Sequence, residues 1–457
     1  MIQALEMILA LSLLIIIHEL GHFMFARIFH VRVNKFYMFF NWKISLVRFR
    51  KVDGKWKVEF FAKNLPEDTP YEATEWGIGW IPLGGYCAIA GMVDETQSAD
   101  QLQAEPQPWE YRSQKAWKRL LIISGGVIMN FIGAIAIYVG LLFVNGEEYL
   151  PVKNGYLGYD YCQTAKDYGF KDGDIIMAVN GEECETTKDV TEKIIIEGKC
   201  NITVLRDSSE QRVLLPTKFG EIFIDNNETA LMQFRFPFTV GDVVEGSPAE
   251  KAGLAKGDSI MMIDSTAVMC YTDFVRYLEN KKSADISLTI ARKDQTLDIP
   301  VTTDTAGKIG FSIIPSLGKF DFVHIDYNFF EAIPAGCRYG WETLVNYIKQ
   351  FRLVFTKAGA KSVGGFIAIG KIFPEAWNWT AFWSITAFLS VILAFMNILP
   401  IPVLDGGYFL MILIEMLTGR KPSDKAMNIA MNIGMVLLLM LLIYANGNDI
   451  LKLIFKY

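Results

Sequence analysis

Apolar residues dominate four stretches of the chain, from about Leu5 to Phe29, Leu120 to Val144, Trp377 to Leu399 and Met427 to Tyr444. Each is close to the roughly 20 residues an α-helix needs to cross a bilayer core, so the pattern predicts four transmembrane helices. No Lys or Arg precedes Arg27. The basic head of a cleavable signal peptide is therefore missing, and the first stretch is expected to persist as a helix. Between Phe329 and Phe355 the pattern changes: Trp341, Leu344, Ile348, Phe351 and Phe355 recur at helical spacing among Glu342, Lys349, Arg352 and Lys357. That alternation predicts an amphipathic helix on the membrane surface, with a helix packed on a soluble domain as the alternative.

Basic residues beside the apolar stretches give the orientation, because cytoplasmic loops keep Lys and Arg close to the membrane. Arg27, Arg32 and Lys35 follow the first stretch, Arg112, Lys115, Lys118 and Arg119 precede the second, and Arg420, Lys421 and Lys425 separate the last two. All three clusters fall on one face, the expected cytoplasmic side. Both termini and the segment from about Asn145 to Glu375 then lie on the opposite face. The composition, 51% hydrophobic and 21% charged over 457 residues, fits spans joined to a soluble module. A net charge of −6 without a basic, aromatic groove pattern excludes nucleic acid as a partner. The six cysteines form no CxxC pair and read as isolated thiols, although Cys184 and Cys200 can pair if their domain is extracytoplasmic.

The first apolar stretch contains His18-Glu19-Leu20-Gly21-His22. Side chains at i and i+4 leave a helix on nearly the same face, so His18 and His22 can reach one metal ion with Glu19 beside them. This HExxH spacing is the zincin pattern of two zinc ligands and a proton-accepting glutamate. Ionisable groups within lipid cost several kcal/mol unless paired or ligated; a polar cluster holding helices together is the structural alternative. A third ligand is required. His30 and His324 are candidates, but a better one lies in Asn397-Ile398-Leu399-Pro400-Ile401-Pro402-Val403-Leu404-Asp405-Gly406-Gly407. There, two prolines break the third helix, two glycines permit a sharp turn, and irregular backbone at membrane depth must line a cavity or be buried in protein. Asp405 is therefore expected to face such a cavity.

HELGH on a first membrane helix together with NxxPxPxLDGG on a later one resembles the site-2 protease family of intramembrane zinc metalloproteases. The resemblance implies Zn2+ bound by His18, His22 and Asp405, Glu19 as general base, and hydrolysis of a peptide bond inside a substrate's transmembrane helix. Gly77 to Gly91, with Ile81-Pro82-Leu83-Gly84-Gly85-Tyr86, is similar to the family's re-entrant β-hairpin, whose strand edge holds an unwound substrate. Ser124 to Phe131 resembles the GPxxNF element with Val127 in place of proline, and Gly364 to Gly370 a GPI-type segment with Phe366 in place of proline. On this resemblance Asn130, Asn397, Gly84 and Gly85 are the substrate-binding residues, Asn130 holding substrate backbone or stabilising the oxyanion. From the residues alone, Asn130 can equally be a helix-packing hydrogen bond.

The soluble insert carries an internal repeat: Ala165 to Gly181 aligns with Ala249 to Asp264, about 84 positions on, in the pattern A-x3-G-h-x2-GD-x-I-x2-h-(N/D). It looks like two bacterial PDZ domains, and a tandem pair is similar to the RseP-type group of the family. The expected fold is a polytopic α-helical membrane protein, with four transmembrane helices and a re-entrant β-hairpin, carrying two inserted β-rich PDZ domains. The expected order is 1–30 first helix, 31–119 cytoplasmic and re-entrant β region, 120–145 second helix, 146–238 and 239–320 PDZ domains, 321–375 amphipathic region, 376–418 third helix, and 419–457 fourth helix and tail. The resemblance implies that the PDZ pair excludes substrates not yet trimmed by another protease. Expected partners are the lipid bilayer and single-span substrates such as anti-sigma factors or remnant signal peptides. A catalytically silent PDZ scaffold would have no need for four costly polar groups in lipid. A zinc transporter would want a continuous histidine-rich or acidic path, which four histidines do not supply.

Overall fold

A computed structural model describes residues 2–65, 71–92, 105–226, 228–293, 295–356, 359, 363–420 and 424–455, so Lys357 and Lys421 of the patterns above lie outside the described residues. The chain divides into two compact units, Met1–Gly146 with Asp326–Phe351 and Val363–Tyr457, and Glu147–Ile325 with Arg352–Ser362.

The first unit contains the long helices α1 (Ile2–Ile28), α2 (Ala116–Asn145), α3 (Phe329–Phe351), α4 (Phe366–Ile372), α5 (Trp379–Ile398), α6 (Asp405–Thr418) and α7 (Asp424–Phe455). Four of these, α1, α2, α5 and most of α7, are long and apolar enough to cross a membrane. Glycines set how closely two of them pack: a Cβ on Gly21 of α1 would strike the carbonyl of Gly125 on α2. Small residues permit such backbone approach where apolar burial alone gives no drive for helices to associate. On its other side α2 meets α5, where the buried Ser390 hydroxyl donates to the Asn130 carbonyl at 2.7 Å.

The region 376–418, assigned to the third helix, holds the break expected at its prolines and is two helices. Pro400 and Pro402 cannot continue the backbone ladder, so α5 stops at Ile398 and α6 begins at Asp405. Within the break Val403 adopts φ 87°, an unusual conformation for a β-branched residue that costs about 1–3 kcal/mol. Gly406 and Gly407 lie against the backbone of Ile398 to Pro402, leaving no room for a side chain at either position. From α7, Gly434 packs on Pro402, while the buried Asp449 carboxylate accepts the Gly365 and Ala368 N–H groups, both at 2.9 Å, at the start of α4.

Helix α3, read from the sequence as amphipathic, packs on α2. Phe329 meets Phe143, Gly336 meets Val139 and Gly340 meets Ile135, so α3 runs antiparallel along α2. Its far end reaches α5, with Tyr347 and Phe351 edge-on to Phe395 at 5.5 and 5.2 Å. Ala332, Ala335, Gly336 and Gly340 form the buried face. A periodicity read from large residues does not register a packing face made of small ones.

Among the described residues, five strands complete this unit: β1 (Val33–Phe40), β2 (Ile44–Val52), β3 (Lys55–Lys63), β4 (Glu75–Ile78) and β5 (Ile81–Ile89), in the order β3-β2-β4-β1-β5. The segment expected as a hairpin over Gly77 to Gly91 is a crossover instead. β4 runs parallel to β1 and β5 antiparallel to it, so β1 lies between them. The connection folds tightly around the end of β1, where Gly79 and Trp80 donate to the Met38 and Phe40 carbonyls at 2.8 and 3.2 Å. β5 is the terminal strand of the sheet.

The second unit contains the repeat, and its two copies share their contacts. The first has β6 (Ile175–Val179), β7 (Glu182–Glu183), β8 (Asn201–Arg206) and β9 (Ser209–Leu214) in the order β9-β8-β6-β7. The second has β10 (Ser259–Ile263), β11 (Thr266–Ala267), β12 (Asp285–Arg292) and β13 (Gln295–Thr302) in the matching order β13-β12-β10-β11. The GD aspartates explain the motif. Asp174 accepts the Lys171 N–H and pairs with Arg206, whose guanidinium also donates to the Gly169 carbonyl. Asp258 accepts the Ala255 N–H and pairs with Arg292, which donates to the Gly253 carbonyl. Asn180 and Asp264, each at φ 53°, occupy the following turns and accept from Asn201 and Ser287 N–H, both at 2.9 Å. Each copy has its own apolar core. They are joined through the buried Asp160, which pairs with Arg235 at 3.0 Å and Arg276 at 3.3 Å.

Candidate metal centre

His18 and His22 leave the same face of α1 one turn apart, and Asp405 approaches them from the first position of α6. Asp405 Oδ2 lies 3.2 Å from His18 Nε2 and 3.3 Å from His22 Nε2. The two Nε2 atoms are 3.2 Å apart. Zinc bonds of about 2.0–2.1 Å in tetrahedral geometry place neighbouring ligand atoms about 3.3 Å apart, so all three separations match the edges of one tetrahedral face. Among the described residues this trio is the group of His, Cys, Asp and Glu side chains that could hold a metal ion.

The proton arrangement fits a cation as well. His22 Nδ1 is 2.9 Å from the Ile122 carbonyl, which can only accept, so the ring proton belongs on Nδ1 and Nε2 offers its lone pair. Asp405 Oδ2 is buried with no hydrogen-bond donor aligned on it. The Nε2 lone pair of His22 and this carboxylate oxygen thus face each other across the centre of the three atoms, an arrangement that a cation relieves. Imidazole nitrogen and carboxylate oxygen are donors suited to zinc.

The fold leaves room for this cluster at one position in particular. Gly126 of α2 faces the histidine rings, and a Cβ there would crowd His18 Nδ1 and His22 Nε2, both at 2.6 Å. At the far end of α6, the largely buried Glu415 pairs with Arg119 at the start of α2. Arg119, one of the basic residues read above as orientation signals, is therefore also an internal ion-pair partner.

The other residues singled out from the sequence divide clearly. Glu19 is partly buried next to His18, and β5 passes close by: a Cβ on Gly85 would lie 3.7 Å from Glu19 Cγ. Gly85 packs on Ile15 of α1 and the Tyr37 carbonyl of β1, which admits β5 beside both, and Gly84 packs on the Phe40 ring of β1. Asn130 and Asn397 turn towards His18 Nδ1, their Nδ2 atoms at 3.2 and 3.5 Å. His30 follows the end of α1 in an exposed turn, and His324 belongs to the second unit, paired in register with Glu148. Sequence reasoning missed the Ile122 carbonyl, Gly126, Glu415 and Asp449. A backbone carbonyl leaves no trace in residue types, but acidic residues in apolar helices, such as Glu415 and Asp449, were a usable signal.

Comparison with known proteins gives the same direction. The profile of peptidase family M50 matches residues 6–62 and 54–441. The regulator of sigma E protease of Haemophilus influenzae is 27% identical over 467 residues, covering 98% of this chain and 98% of that protein. The regulator of sigma-E protease RseP of Salmonella typhimurium is 27% identical over 469 residues, with 98% of each chain covered. A protein of Neisseria meningitidis provisionally named zinc metalloprotease is 27% identical over 472 residues, covering 98% of this chain and 99% of that one.

Proposed function

The chain belongs to peptidase family M50 and is a zinc metalloprotease, and we propose that it hydrolyses peptide bonds within the transmembrane segments of single-span membrane proteins. The observation that carries this reading is the convergence of His18, His22 and Asp405 at tetrahedral spacing, with both histidines on α1, a helix otherwise apolar enough to cross a membrane. An ordinary soluble protease has no reason to build its centre there. The costly placement of ionisable groups at membrane depth makes sense if the bond to be cut also lies at that depth.

In this reading His18, His22 and Asp405 hold the zinc. Bound zinc supplies a Lewis acid that polarises the scissile carbonyl and makes a water molecule easier to deprotonate. Glu19, adjacent in the same helical turn, accepts the proton of the attacking water and returns it to the departing amine. A helical substrate hides its amides in its own hydrogen bonds, so it must be extended before cleavage. The edge of β5, through the backbone of Gly84 and Gly85, offers a strand to which an unwound substrate can add, and Asn397, whose amide turns towards His18 Nδ1, is assigned to hold substrate backbone.

The two repeat copies are PDZ domains on this account. With the basic clusters beside the spans in the cytoplasm, the PDZ pair and both termini lie on the periplasmic side of a bacterial inner membrane. There they exclude substrates whose periplasmic part has not yet been trimmed. Two relatives bear the name regulator of sigma E protease, which favours anti-sigma factors as one substrate class, with remnant signal peptides as another. The test is cleavage of a tagged single-span substrate with a short periplasmic tail in detergent by purified protein. Parent protein is expected to cut, and Glu19→Gln and chelator-treated parent to be inactive. Equal cleavage by the Glu19→Gln variant would refute the assignment.

A further inference from the structure

The two histidines of the centre differ in what supports them. For His22, the Ile122 carbonyl receives the Nδ1 proton and leaves Nε2 free. For His18, the nearest group to Nδ1 is the side-chain amide of Asn130, 3.2 Å away and completely buried. That amide turns Nδ2 towards the ring, while its Oδ1 is buried without a hydrogen-bond partner among the described residues. Amide oxygen and nitrogen have nearly the same shape, so their placement is decided by the hydrogen bonds they make.

If Asn130 donated to Nδ1, neutral His18 would carry its proton on Nε2, the atom that faces Asp405 and His22. That tautomer has no lone pair on Nε2 with which to ligate a metal beside Asp405 and His22. Turned over, the amide presents Oδ1 to an Nδ1–H group and frees the Nε2 lone pair. Building on the zinc-site reading above, we propose that Asn130 is a positioning residue which accepts the Nδ1 proton of His18 and fixes the metal-binding tautomer. It does for His18 what the Ile122 carbonyl does for His22. Both partners come from α2, the helix held against α1 by Gly21, Gly125 and Gly126, so one helix interface orients both imidazoles. Asn397 is 3.5 Å from the same nitrogen, at the outer limit of a hydrogen bond, and remains available to substrate.

The role is separable from structural support, because α5 is tied to Asn130 through its backbone carbonyl and a side-chain change leaves that bond in place. Zinc affinity is measured on the full-length protein in detergent by chelator competition, and the cobalt form by its visible absorption, for parent, Asn130→Ala and Asn130→Asp. Removal of an outer partner of a metal-bound histidine costs about 10–100-fold in affinity, and Asn130→Ala is expected to show that loss with an altered cobalt spectrum. Asn130→Asp can only accept, so it is expected to restore affinity to within a few-fold of parent. Parent affinity in Asn130→Ala would overturn the proposal and return the residue to a substrate role. Loss in Asn130→Asp equal to that in Asn130→Ala would overturn it by showing that the amide donates. If the parent itself binds neither metal at this centre, the zinc-site reading falls and the proposal with it; parent binding with unaffected variants removes the positioning role alone.

Discussion

Gly126→Ala adds one methyl group and tests the position of both histidines at once. The new Cβ would lie 2.6 Å from His18 Nδ1 and 2.6 Å from His22 Nε2. Comfortable contact needs about 3.5 Å or more, so the rings must retreat by about 0.9 Å at these nitrogens and further at His18 Cε1, which the Cβ would approach more closely still. Metal ligands tolerate displacements of only about 0.2 Å, so the variant is expected to lose at least the ~10–100-fold in zinc affinity that loss of an outer partner produces. The fold is expected to survive, because alanine is favoured over glycine in a helix by about 1 kcal/mol, against a ring-displacement cost of about 1–3 kcal/mol. Gly140→Ala is the control: it carries the same propensity gain on the same helix, and no atom would lie within 4 Å of its Cβ. Chelator competition on parent and both variants reads the result. Parent affinity in Gly126→Ala, with native-like melting, would show that His18 and His22 do not hold zinc from the positions described.

Three further outcomes follow from the structure. Asp405→Asn removes the charge that joins the two imidazoles and is expected to reduce bound zinc measured by mass spectrometry of the metal; full occupancy would remove Asp405 from the ligand set. Glu415→Ala leaves the buried Arg119 guanidinium unpaired, a change worth about 3–5 kcal/mol. It should lower the melting temperature, whereas the apolar double replacement Arg119→Met with Glu415→Leu should recover most of the loss; melting of Glu415→Ala within a degree of parent would refute the coupling. In the second unit, burial pushes the Asp258 carboxyl up, but the Arg292 guanidinium and the Ala255 N–H outweigh it and hold Asp258 below its ordinary value. Such a group contributes stability that is present above the unfolded pKa of about 3.9 and is lost as pH falls through the folded value. Hydrogen-exchange protection of β10 and β12 should therefore weaken as pH falls below about 4, after correction for intrinsic rates, and Arg292→Gln should already be weakened at pH 6. Unchanged protection in acid would contradict the assignment.

The parts of this architecture that depend on local chemistry were legible in the sequence. An i, i+4 histidine pair needs only a helix to converge, and the prolines and glycines around Asp405 signalled a break that folds back on itself. The repeat was visible because its GD dipeptides do the same job twice, each aspartate holding a loop N–H and an arginine. Features decided by tertiary contacts were hidden. Nothing in the order of residues says that β1 enters between β4 and β5, or that α3 presents its alanines and glycines to α2. The surroundings of Asn130 were hidden for the same reason. A polar residue in an apolar helix advertises a polar role, but only the fold shows His18 Nδ1 opposite it.

The central claim is that the cut lies within the membrane-spanning part of the substrate. It is tested most directly by reconstituting parent and Glu19→Gln protein in liposomes with a single-span substrate and locating the new termini by mass spectrometry. The account predicts fragments from the parent alone, ending inside the substrate's apolar segment. Fragments ending only in its water-exposed flanks, from a parent that retains zinc, would contradict it.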